Sequence, residues 1–372
     1  MDVRAQQLAI SITKYSIEVQ PGDFVVIDTE EPDHDICKAL IQEIYHCGGM
    51  PHVLIRHTAT LRRILQQVSD EQLTLMRQSE DILMKRADCY IILNGSGNNA
   101  ELTGVPQETL GRYMSIYRQD LTRQRLKKRW LVLRQPTAAD AQAANMDTDS
   151  YSQLLYQSCL IDYPSLLARM LPLQNLMEKT DQVRITAPGT DLTFSIRGIP
   201  VLCAAGKVNL PDGEVYTAPV RTSINGTVCF NTKTVYQGCS FQRIALSFRE
   251  GKVVSASSDG STKELNAILD IDEGSRYVGE FALGLNHMIT NPVGSILFDE
   301  KIGGSFHLAL GSCYEEADNG NHSAIHWDLV CRMQSSAGGG TIYFDGVPVM
   351  KDGEFCLPEL AGLNESRNNN KL

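Results

Sequence analysis

Four of the chain's eight histidines fall within the 40 residues from His287 to His326, and none lies between His57 and His287. Clustered imidazoles ask for metal ligation or proton transfer. In Ile325-His326-Trp327-Asp328-Leu329 the His and Asp stand two apart. A strand sends both to one face, where they can bind one cation, while Trp327 points away. Gly304 to Gly311 (GSFHLALG) repeats the construction, with Phe306, Leu308 and Leu310 on one face and Ser305, His307 and Ala309 on the other. In Gly279 to Asn286 (GEFALGLN), Phe281, Leu283 and Leu285 share a face, and Glu280, Ala282, Gly284 and Asn286 take the opposite one. Each segment sets one potential ligand among small neighbours. Strands with polar residues facing water also alternate, but water-facing strands favour Thr, Lys, Glu and Arg over Ala, Gly and Ser. Three such segments in about 50 residues describe a concave floor. A fourth contributor is Glu214, where Pro211-Asp212-Gly213 signals a turn that ends on the carboxylate. That places it at a rim where a turn feeds a strand; alone, it would be an exposed turn residue.

The elements that hold these residues divide near residue 180. Before it, β-rich runs recur at Phe24 to Ile27, Val53 to Ile55, Tyr90 to Leu93 and Trp130 to Leu133, with helical patterns between them. Asp33 can cap a helix whose apolar positions Ile36, Leu40, Ile41, Ile44 and Tyr45 form one face. Strands separated by helices indicate βαβ crossovers and a mostly parallel sheet. Two further helices are expected at Ser152 to Ser158 and Pro164 to Glu178. After Asp181, alternating runs are separated by turns rich in Gly, Asp and Asn, with one helix at Ser261 to Leu269. The expectation is an α/β domain over 1–180, a mainly antiparallel β-rich domain over 181–364 and a polar tail at 365–372.

Composition narrows the function classes. With 42% hydrophobic and 21% charged residues in 372, the chain is neither disordered nor a disulfide scaffold. A formal charge of −10 argues against nucleic-acid and anionic-membrane partners. Ten cysteines without a C-x-x-C pair fit reduced thiols in a cytoplasmic protein. The N-terminus carries charge where an export signal needs an apolar run, and the longest uncharged run, Phe281 to Phe298, is too polar for a membrane span. Gly95-x-Gly97-x-x-Ala100 imitates a dinucleotide-binding turn, but Gly104 and Pro106 interrupt the helix it requires, so it is a loop.

The segments NLPDGEVYTAP, VGEFALGLN, FDEKIGGSFHLALG and SAIHWD, in this order behind an α/β domain, closely resemble the M29 family of metallo-aminopeptidases. The resemblance runs over nearly the whole chain, from QPGDFVVID onwards. It implies a two-metal centre held by Glu214, Glu280, His307, His326 and Asp328, with Tyr314 also in the site. It further implies peptide substrates with a free N-terminus, and a homodimer.

Charge counting supports two ions separately from the resemblance. Three carboxylates supply −3 and two divalent ions +4, so one bridging hydroxide brings the total to zero. Oxygen and nitrogen ligands without thiolate suit Zn, Co or Mn. In such a centre the hydroxide attacks the peptide carbonyl and the ions stabilise the oxyanion. Glu280 is then the bridging ligand or base, Glu214 the other candidate base, and Tyr314 a hydrogen-bond donor to the oxyanion or a cap on the centre. Two rivals remain. Two His and one Asp also suit a mononuclear Fe(II) ring-cleaving dioxygenase of the dihydroxypyridine type, which needs neither Glu214 nor Glu280. A non-catalytic binding protein on the same fold is the other.

Overall fold

The computed structural model describes residues 1–95 and 97–364; the polar tail at 365–372 lies outside the described residues. The β-rich runs of the first half form β1 (Phe24–Thr29), β2 (Met50–Ile55), β3 (Cys89–Asn94) and β4 (Arg129–Arg134). They pair in parallel in the order β2-β1-β3-β4, and the short strand Asn209–Leu210 adds to the β4 edge. Parallel neighbours cannot be joined by a hairpin, so helices carry the chain across. Asp35–His46 links β1 to β2, and Thr58–Leu65 and Asp70–Arg86 link β2 to β3. The first of these buries Ile36, Cys37, Ala39, Leu40 and Ile44. Its cap is His34, whose Nδ1 accepts from the Ile36 amide at 3.2 Å, because the helix starts one residue later than expected. Asp33 is exposed instead and lies 3.8 Å from Lys38.

Two compact units emerge, Met1–Leu160 with Gly206–Leu210, and Ile161–Ala205 with Pro211 onward. The helix Tyr163–Met177, which precedes the change of texture at Asp181, belongs to the second unit. It buries Leu166, Met170, Leu173 and Met177 and lies against β5 (Leu202–Ala204), β6 (Glu214–Thr217) and the turn Pro358–Leu363.

The second unit is mostly antiparallel. An eight-stranded sheet runs from Lys252–Ser257 at one edge to Glu354–Phe355 at the other. A five-stranded sheet has the order β9-β8-β7-β6-β5, where β7 is Val278–Gly284, β8 is Ser305–Gly311 and β9 is His326–Arg332. One face of β7 to β9 carries Phe281, Leu283, Phe306, Leu308, Leu310, Trp327 and Leu329, each at most 1% exposed. Burying each contributes roughly 1.5–3 kcal/mol before entropy costs, and a one-residue slip would turn all of them to the other side. Trp327 stacks on Tyr236 with ring centroids 4.6 Å apart. Hydrophobic burial thus fixes which residues face the opposite way. Among the described residues no helix is long and apolar enough to cross a membrane, and all ten cysteines are free.

Candidate metal centre

The polar face of the five-stranded sheet is set by register. Glu280 pairs with Ala309, which pairs with Asp328, so the two carboxylates flank one methyl group. Ala282 stands opposite His307, Gly284 opposite Glu214, and Gly311 opposite His326. Residues paired directly across an antiparallel sheet share a face. All five candidate ligands therefore rise from one surface, and Ala282, Gly284 and Ala309 leave the space between them. The β7 register shifts between Val278 and Glu280. A Cβ on the intervening Gly279 would overlap the carbonyl oxygens of Gly311 and Ser312. Glycine permits this bulge, which aims Glu280 into the cluster.

Glu280 divides its two oxygens. Oε1 lies 3.6 Å from His307 Nε2, and Oε2 lies 3.2 Å from His326 Nε2. Glu214 Oε2 is also 3.6 Å from His307 Nε2, while Asp328 Oδ1 is 3.5 Å from His326 Nε2 and 3.8 Å from His307 Nε2. Two groups able to hold an ion, Glu214-Glu280-His307 and Glu280-His326-Asp328, therefore share Glu280. Most of these separations exceed a good hydrogen bond, yet suit ligands that share a cation about 2.0–2.2 Å from each. Among the buried atoms, Glu214 Oε2, His326 Nε2 and Asp328 Oδ1 have no hydrogen-bond partner. Leaving such atoms unpaired costs about 1–3 kcal/mol each, more for charged groups, so the donor set fits divalent cations.

The loop after β8 orients His326. Its Nδ1 lies 2.7 Å from the Ser312 carbonyl, which fixes a proton on Nδ1 and turns Nε2 toward the carboxylates. The Ser312 amide bonds the Ile325 carbonyl at 2.8 Å, and Asn321 Nδ2 reaches the Gly311 and Gly274 carbonyls at 2.6 and 3.0 Å. Tyr314, in the same loop, packs edge-on to Tyr216 at 5.6 Å and against the His326 ring at 4.9 Å. Tyr314 is 44% exposed, but partial desolvation of its phenol and the nearby Glu280 and Asp328 carboxylates hold it above the usual range, so it stays a hydrogen-bond donor.

Glu214 opens β6 immediately after the turn, but it is 5% exposed and lies within the cluster, not at a rim. The reason is Lys301, which is 1% exposed and forms an ion pair with Glu214 Oε1. Lys301 Nζ also lies 2.9 Å from Glu300 Oε1 and 3.7 Å from Asp212 Oδ1. Glu300 itself forms a possible ion-holding group with His307 and Asp328. Sequence reasoning missed Asp212, Glu300 and Lys301. They occupy turns, where no alternation assigns a face, and lysine is almost never fully buried. Their adjacency to ligand segments, in PDGE and DEKIGG, was the available signal.

Burial sets the titration of the cluster against its charges. It raises Glu214 to about 7 in spite of Lys301, and Glu300 to about 8. Burial also opposes ionisation of Glu280 and Asp328, but the facing histidines win and both carboxyls fall below their usual range. His307 and His326 feel the converse: burial pulls them down, while the carboxylates override it and take them to about 9 and about 12. With five carboxylates, one lysine and neutral histidines the cluster carries −4, which two divalent ions would balance without a hydroxide. A proton on Glu300 makes room for one.

Comparison with known proteins places the chain. The family model described as thermophilic metalloprotease (M29) matches residues 1–355. Aminopeptidase AmpS of Bacillus subtilis is 24% identical over 367 residues, 87% of each chain. Aminopeptidase T of Thermus thermophilus is 28% identical over 200 residues, 46% of this chain and 48% of that one. The solved structure of wild-type AmpT from Thermus thermophilus superposes with a TM-score of 0.80 at 20% identity, covering 95% of this chain and 99% of that chain. The chain belongs to the M29 family of metallopeptidases, enzymes that hydrolyse peptide bonds.

Proposed function

We propose that the chain is an aminopeptidase with a dinuclear centre, whose residues would hold two divalent ions of the Zn, Co or Mn type with Glu280 shared between them. The supporting observation is the division of the Glu280 oxygens between two His-carboxylate groups that hold unpaired buried ligand atoms. Glu214 Oε2, Glu280 Oε1 and His307 Nε2 would hold one ion; Glu280 Oε2, His326 Nε2 and Asp328 Oδ1 would hold the other. When bound, such a pair supplies Lewis acidity to a water molecule and to the scissile carbonyl.

The chain's own groups supply the rest. Of the two candidate bases, Glu214 is raised by burial to about 7 and is therefore the carboxyl able to exchange a proton near neutral pH. Lys301 holds Glu214 Oε1, which turns Oε2 toward His307 Nε2. Tyr314, a neutral phenol against the His326 ring, donates to the developing oxyanion.

Preference for a free N-terminus rests on the relatives, which are named aminopeptidases. A homodimer follows from the same family likeness, and the ten free thiols support a cytoplasmic setting. A mononuclear iron dioxygenase would leave the buried Glu214 and Glu280 without work, so that reading is set aside. The test is hydrolysis of leucine- and arginine-linked chromogenic substrates by the metal-loaded chain, beside their N-acetyl forms. Cleavage of the free-amine forms alone is expected. Equal cleavage of both would remove the aminopeptidase assignment, and oxygen uptake with a dihydroxypyridine in place of hydrolysis would restore the rival.

A further inference from the structure

The first unit contains a cleft of about 890 Å³ whose lining, among the described residues, comes from that unit. Its walls include the carboxyl ends of all four strands: Glu30 follows β1, Arg56 follows β2, Gly95 follows β3 and Arg134 ends β4. The strand order β2-β1-β3-β4 makes the chain leave β1 to one side and later cross to β3 on the other. Open parallel sheets form ligand crevices at the carboxyl ends of strands where the order reverses in this way. Among the described residues no helix begins between Gly95 and Gln107, so the turn after β3 lacks the helix start that a dinucleotide-binding fingerprint requires.

The charges lining the cleft fall into two kinds. Arg56 is fully engaged, with Nε and Nη2 on Asp28 at 2.8 and 2.9 Å, and with Nη1 and Nη2 on Glu80 at 2.5 and 2.9 Å. Asp28 also accepts from the Tyr90 hydroxyl at 2.6 Å. Arg134 pairs with Asp140, and Glu101 lies 3.7 Å from Arg62. Two opposite charges remain. Arg118 has no ion pair or hydrogen bond among the described residues, and Glu30 accepts only from the Thr58 hydroxyl. Burial and the neighbouring Glu31 carboxylate push the Glu30 carboxyl up against the opposing pull of His57. Carboxylates outnumber guanidinium groups along the lining, which disfavours phosphates and other polyanions. Leu61, Met76, Ile92 and Leu102 add apolar wall.

We infer that this cleft binds a small zwitterion, a free amino acid or short peptide, with Arg118 holding its carboxylate and Glu30 its ammonium group. The ligand would belong to the same chemical class as the substrates and products of a peptidase, yet the inference rests on the first unit alone.

Calorimetric titration of the full-length, metal-loaded chain tests it, with D-leucyl-D-leucine, its N-acetyl and amide derivatives, free leucine and inorganic phosphate as probes. The dipeptide should bind about tenfold or more tightly than either blocked form, the scale of one charge-assisted hydrogen bond. Arg118→Gln should erase the preference for acid over amide, and Arg118→Lys should restore part of it. Glu30→Gln should erase the preference for free amine over N-acetyl. Hydrolysis of a leucine-linked chromogenic substrate should be unchanged in all three variants. Free leucine matching the dipeptide would identify the amino acid as the ligand of the same site. Equal affinity for blocked and unblocked forms, full dipeptide affinity in both Gln variants, or displacement of the dipeptide by phosphate would each overturn the proposal.

Discussion

The two units each bury a cluster of ionised side chains, and the clusters are built on opposite terms. In the first, Arg56 lies between Asp28 and Glu80 with its guanidinium nitrogens bonded to both carboxylates. In the second, five buried carboxylates share one lysine, which pairs with Asp212, Glu214 and Glu300, while Glu214 Oε2, His326 Nε2 and Asp328 Oδ1 have no hydrogen-bond partner. A cluster whose groups satisfy each other can be structural, since nothing further is needed to offset its desolvation. One that leaves ligand atoms unpaired among like charges needs cations from outside the chain. Burial alone would not have separated the two cases; the matching of donors to acceptors does.

The largest effect should come from removing those cations. Chelation should destabilise the second cluster by about 4 kcal/mol for each ion present at a thousand times its dissociation constant. Thermal unfolding with and without Zn, Co or Mn measures this, and an unchanged midpoint would break the contrast between the units. The converse variant is Arg56→Met, which strands Asp28 and Glu80. It should cost about 3–5 kcal/mol in denaturant unfolding while leaving metal content unchanged. Loss of metal in that variant would show that the first cluster is not separate from the second.

Glu280→Gln should lower turnover about a hundredfold or more, and metal content with it, because one neutral amide replaces a bridging carboxylate. Wild-type rates would remove Glu280 from the mechanism. The smallest effect is a pH dependence. Burial lowers His307, but Glu280, Glu214 and Asp328 outweigh it and raise it from 6.5 to about 9, so cation uptake at pH 7 should release protons. Because the raised value belongs to the folded state, this histidine stabilises the chelated protein fully below pH 6.5. That contribution is lost as pH rises through about 9. Calorimetry in two buffers of different ionisation enthalpy counts the protons, and a count of zero would contradict the coupling.

Much of the second unit was legible in sequence because a period of two assigns faces without any knowledge of tertiary contacts. Phe281, Leu308 and Trp327 declared the buried side, and Glu280, His307 and Asp328 the other. The bulge at Gly279 was not visible, although it decides where Glu280 points. Lys301 escaped notice for a different reason: it lies in a turn and is buried against the usual preference of its side chain. In the first half, runs such as Tyr90 to Leu93 announced strands, but order within a parallel sheet is set by crossovers. The crevice beside Glu30 and Gly95 therefore emerged only from topology. The helix Tyr163–Met177 shows a similar limit, since an apolar helix face does not name the sheet it will cover.

The most direct test of the two-cation cluster is metal stoichiometry. Titration of the chelated chain with a divalent ion, followed by elemental analysis, should give two ions per chain in the wild type and fewer in Glu280→Gln. Saturation at one ion or none in the wild type would contradict the shared role given to Glu280.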